Sequence, residues 1–75
     1  MKAKVIIQLA TGDYVTGLET DVTDIDYREM STHFGEILSD EHGYLQLTTV
    51  NDKGCRTEVF IGTRNIVALM LELKT

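Results

Sequence analysis

Glu58-Val59-Phe60-Ile61-Gly62-Thr63-Arg64-Asn65-Ile66-Val67-Ala68-Leu69-Met70-Leu71 is the stretch on which the fold turns. Two apolar runs rich in β-formers, residues 59–61 and 66–71, flank four residues of turn character. Glycine and asparagine tolerate turn backbone at low cost, and four residues are too few for a helix. The two runs are therefore strands. The second either leaves the first at a sharp angle or pairs with it as a hairpin. It is apolar at nearly every position, the pattern of a strand covered on both faces. A chain of 75 residues has little interior to supply that cover. A neighbouring subunit is expected to supply part of it.

Working outward, residues 4–9 form a strand, Ala10-Thr11-Gly12-Asp13 a turn, and residues 13–19 the returning strand. Gly17 within that strand suggests a bend or bulge. Asp21-Val22-Thr23-Asp24-Ile25-Asp26-Tyr27 alternates polar and apolar, which favours continued strand; residues 26–30 fit a helical turn equally well. The reading adopted is strand followed by a loop at Ser31-Thr32-His33, then a short strand over residues 34–38. Asp40-Glu41-His42-Gly43 is a turn, residues 44–50 a strong strand, and Asn51-Asp52-Lys53-Gly54 a hairpin turn. Residues 55–61 return and residues 66–73 close the chain. No proline occurs. The expectation is one all-β domain over residues 1–75, a small, strongly bent, five-stranded antiparallel barrel.

The net charge is −5, and eight of the twelve acidic residues lie between Glu19 and Glu41, offset there only by Arg28. Nonspecific nucleic-acid binding depends on cationic contacts to phosphate, so this balance opposes it, although a local basic patch on an oligomer stays open. No apolar run approaches the ~20 residues of a membrane-spanning helix. The basic residues Lys2 and Lys4 precede only a short apolar run, which reads as a strand rather than a signal peptide. With a single cysteine, Cys55, no internal disulfide forms, and a cytoplasmic protein is expected.

Two segments resemble the Sm-like superfamily, which includes the Lsm proteins and Hfq. Residues 5–17, an apolar strand, the Gly12 turn and a second glycine at Gly17, resemble its opening motif. Residues 59–67, Val-Phe-Ile-Gly-Thr-Arg-Asn-Ile-Val, resemble its closing motif. Residues 44–47 with the turn at 51–54 are similar to its middle hairpin. Residues 18–34 then read as an acidic insertion. His42 or Gly43 stands where the family has asparagine, and Gly62-Thr63 replaces its Arg-Gly pair, with Arg64 following.

The resemblance implies a ring of five to seven identical subunits whose pore turns carry His42, Tyr44, Arg64 and Asn65. There, stacking and a guanidinium contact would hold single-stranded RNA. It also implies a subunit interface built from Val59, Ile61, Ile66, Leu69 and Leu71. The leading function is thus RNA binding or scaffolding of a ribonucleoprotein. The alternative is an acidic protein-interaction module that keeps the ring without the RNA site, for example a small phage accessory protein that binds a host or partner protein; some compact Sm-like proteins of phages look similar. The plainer view of the four pore candidates is ordinary turn residues.

Asp21, Asp24 and Asp26 place three carboxylates within six residues, but without the glycine and closing glutamate of a calcium loop they read as a solvated acidic face. His33 with Asp40, Glu41 or His42 lacks a recognisable third zinc ligand or nucleophile. No enzyme activity, metal or cofactor is expected.

Overall fold

A computed structural model describes residues 1–74. Strand β1 (Lys2–Leu9) is the centre of the larger sheet. Its residues alternate, so Ala3, Val5 and Ile7 face inward and are buried. Strand β2 (Tyr14–Thr16) and the two-residue β3 (Thr20–Asp21) pair with β1, and the last strand, β6 (Ile66–Lys74), pairs with it from end to end except at Val67, where the register shifts between Gln8 and Leu9. All pairings are antiparallel. Because β6 occupies one edge of β1 from Lys2 to Leu9, β2 and β3 share the other. Strands β4 (Tyr44–Val50) and β5 (Arg56–Gly62) form a separate hairpin. Gly12 and Gly54 hold their turns with φ of +93° and +78°, left-handed backbone that glycine adopts without a Cβ penalty.

Residues 20–38 differ from the expected strand, loop and strand. They hold helix α1 (Asp24–Leu38), 15 residues long, so the short strand expected over 34–38 does not exist. The physical reason lies in two features. Thr23 is an N-cap: its side chain accepts from the Asp26 N–H, while the Asp26 carboxylate accepts from the Thr23 N–H, a capping box with aspartate in the third position. Tyr27, Met30, Phe34 and Ile37 then follow at helical spacing and are the half-buried positions of an otherwise exposed helix. The two-residue alternation around Val22 and Ile25 is too short to compete, and Ile25 ends 68% exposed.

The fold is therefore a small, mostly β structure with one helix, in place of a purely β chain. The sheets do not close into a barrel. Among the described residues, one backbone hydrogen bond runs between the larger sheet and the hairpin, from the Leu18 N–H to the Thr48 carbonyl, 3.2 Å long. Gly17, buried at this junction, leaves room for Leu47; a Cβ there would lie 2.8 Å from its Cδ1. The core is Val5, Ile7, Leu45 and Ile61, with Met30, Phe34 and Ile37 of α1 packed onto it.

Between β5 and β6, Thr63–Asn65 form a single 3-10 turn. The chain leaves β5 there and pairs with β1, so of the two geometries open in the sequence the sharp departure is the one found. β6 is not covered on both faces: Leu69 and Leu71 pack on the core, while Val67 is 65% and Met70 41% exposed. Among the described residues the outer edges of β5 and β6 carry no partner strand.

Candidate functional site

His42 and Tyr44 lie on one turn, Arg64 and Asn65 on another, and the structure ties the two turns together. The Asp40–Gly43 turn is closed by the Gly43 N–H donating to the Asp40 carbonyl at 3.0 Å and by the His42 N–H donating to the Asp40 carboxylate at 3.0 Å. Thr63 binds across to it. Its N–H donates to the Gly43 carbonyl at 3.1 Å, and its hydroxyl reaches the Asp40 carbonyl at 2.6 Å and the Gly43 carbonyl at 3.2 Å. Thr63 is the one buried polar residue among those described, at 7% exposure. Asn65 fastens a third turn, accepting from the Ala10 N–H at 2.8 Å. Tyr44 opens β4 directly opposite Gly62.

The electrostatics of this end are mixed. Arg64 is the only permanent cation on the two turns, against Asp40 and Glu41. His42 stands 3.8 Å from the Glu41 carboxylate, an ion pair when the imidazole is protonated. Beside the turn, a cleft of about 450 Å³ runs against the C-terminal half of α1, lined by His33, Glu36, Asp40, His42 and Tyr44 among others. Of the histidine and acid set noticed in the sequence, His33, Asp40 and His42 share this cleft and Glu41 does not line it; among the described residues no group of three or more His, Cys, Asp or Glu side chains is arranged to hold a metal ion. Asp21, Asp24 and Asp26 do not act together: Asp21 ends β3, whereas Asp26 is spent on the helix cap. The Thr23 backbone N–H, and after it the Thr23 side chain, hold the Asp26 carboxyl below the usual carboxylate range. Cys55 is exposed and unpaired.

Four of the five residues expected at a subunit interface are half-buried in the single chain, and the fifth, Ile61, is buried. Ile61 is buried in the core, and Val59, Ile66, Leu69 and Leu71 pack against it. The opposite face of the same strands bears the residues that sequence reasoning passed over. Phe60 sits between two inward residues, so the two-residue period of a strand turns it outward; it is 62% exposed. Its ring lies 6.0 Å from that of Tyr44, tilted by 50°, and Tyr44 is 63% exposed. On the same face Glu58 lies opposite Thr48, and its carboxylate accepts from the Thr48 hydroxyl at 2.9 Å and the Gln46 amide at 3.3 Å.

Compared with protein-family models, with curated proteins and with solved structures, the chain matches none. Among the described residues no helix is long and apolar enough to cross a membrane.

Proposed function

We propose that this chain is a non-enzymatic assembly module that joins copies of itself edge to edge, closing into a ring of the Sm-like kind. The observation that carries the reading is that, among the described residues, β5 and β6 each keep an edge with no partner strand, whereas the open edges of β2–β3 and of β4 are tied to each other by the Leu18–Thr48 hydrogen bond. Open edges are a liability unless paired or covered. Head-to-tail pairing of β5 with the β6 of the next copy satisfies both at once, and its repetition closes when the rotation between copies divides a full turn. Exposed Val67 and Met70 on β6 favour such a neighbour, because the single chain leaves them in water. Light scattering and native mass measurement test this. A stable closed oligomer at micromolar concentration is expected, and Val67→Lys should lower its order by placing a charge beside the pairing edge. A folded monomer in the wild type would remove the proposal.

A second reading, single-stranded RNA binding at the turns, is favoured by the Thr63 hydrogen bonds that bring the Tyr44 and Arg64 turns together. Arg64 is able to stack on a base or pair with phosphate. Asp40 and Glu41 repel the backbone, and salt screens both effects. Weak, salt-sensitive binding of short uridine- or adenine-rich single strands, abolished by Arg64→Ala with the oligomer intact, is the expected result. No gel shift at low salt would leave the alternative, an acidic module that binds a partner protein.

A further inference from the structure

We propose that the outer face of the β4–β5 hairpin is a docking site for an arginine side chain on a basic segment of a partner protein. This does not require the edge-to-edge association, since it uses the face of the hairpin and not its edge.

Three observations converge on it. First, Tyr44 and Phe60 form an exposed aromatic pair on adjacent strands, with ring centroids 6.0 Å apart. The residues next to them in the chain, Leu45 and Ile61, are in the core. The strands are therefore anchored from below while the rings face water. Second, Glu58 lies two residues from Phe60 on the same face, about 7 Å along the strand. Its carboxylate is oriented by Thr48 at 2.9 Å and Gln46 at 3.3 Å. A carboxylate has roughly four acceptor positions, and these two donors leave the others open. Third, among the described residues no cation of the chain pairs with Glu58. Arg56, two residues away on β5, does not.

The chemistry selects the ligand. Ring faces attract cations, and a planar guanidinium stacks on a ring while its N–H groups fork onto a carboxylate. An ammonium matches the charge but not the fork. A nucleobase would also stack on the rings, but it would bring phosphate towards Glu58 and towards a chain of net charge −5. Charge complementarity therefore favours the basic peptide.

The test is an NMR titration of the ¹⁵N-labelled wild-type chain with the peptide Gly-Arg-Gly-Arg-Gly, its lysine counterpart, and a short oligouridylate. The expected result is that amide shifts centre on Gln46, Thr48, Glu58 and Phe60, and that the arginine peptide binds several-fold tighter than the lysine one. Phe60→Ala and Glu58→Gln should each weaken it about five-fold. Both side chains are exposed, so both variants keep their core, which dispersed amide spectra verify. The proposal is overturned if the shifts centre on the acids of α1, if arginine and lysine peptides bind alike and the variants change nothing, or if oligouridylate shifts these amides and the arginine peptide does not.

Discussion

Thr63→Val tests whether one hydroxyl holds the two turns of the candidate site together. Valine keeps the shape and removes the donor. The hydroxyl has one proton, so the 2.6 Å contact to the Asp40 carbonyl is its main bond and the 3.2 Å contact to Gly43 the weaker one. Neither carbonyl is orphaned by the change. Asp40 still accepts from the Gly43 N–H, and Gly43 still accepts from the Thr63 N–H. The cost is then the net worth of one partly buried hydrogen bond, about 1 kcal/mol, without the larger penalty for an unsatisfied acceptor. A chain of this size has roughly 4–11 kcal/mol in total, and about 1 kcal/mol lowers Tm by roughly 4–8 °C. Urea unfolding at one fixed protein concentration measures it, the concentration being held because self-association would add to stability. The Gly43 amide should also exchange faster, since the turn it closes loses its tie. An unchanged urea midpoint with unchanged exchange would refute the reasoning and leave the backbone bonds as the real fastening.

Ile7→Ala should cost about 2–5 kcal/mol, read as a large fall in the urea midpoint followed by circular dichroism, because Ile7 is fully buried at 0% exposure. Thr23→Ala should lower helicity and stability by about 1 kcal/mol through loss of the cap. Its acid profile should change too. The Asp26 carboxyl is held lower in the fold than in the unfolded chain. Its contribution is thus complete above the ordinary carboxylate value near pH 4 and lost as pH falls through the lower folded value. In Thr23→Ala, that acid-side loss should shrink only in part in an unfolding series taken from pH 6 to pH 2, because the larger cause, the backbone N–H of residue 23, survives the substitution. Gly17→Ala should destabilise by about 1 kcal/mol in the same urea assay, a modest cost because the new Cβ meets the end of the Leu47 side chain, which can shift.

Local signals set most of the strands. The run before Gly12, the hairpin around Asn51 to Gly54, and the turn at Gly62 to Asn65 each announce themselves by β-branched residues bounded by turn-formers, and each is where expected. Helix α1 was also locally encoded, in the Thr23–Asp26 cap and the spacing of Tyr27, Met30, Phe34 and Ile37, but a short polar–apolar alternation pointed to strand instead. Half of the candidate site was equally legible: the turn residues His42, Tyr44, Arg64 and Asn65 stand out by type. Phe60 was hidden because, beside Val59 and Ile61, it reads as one more core residue.

By itself the sequence determines turn positions, strand propensities and the acidic balance, since these depend on residues close together in the chain. Tertiary structure alone decided that β6 pairs with β1 and not β5, that Val59 and Ile61 point to the chain's own core while Phe60 joins Tyr44 in water, and that Thr63 binds a turn 20 residues earlier. Each of these outcomes depends on contacts between distant residues, whose loop-closure cost only the assembled core offsets.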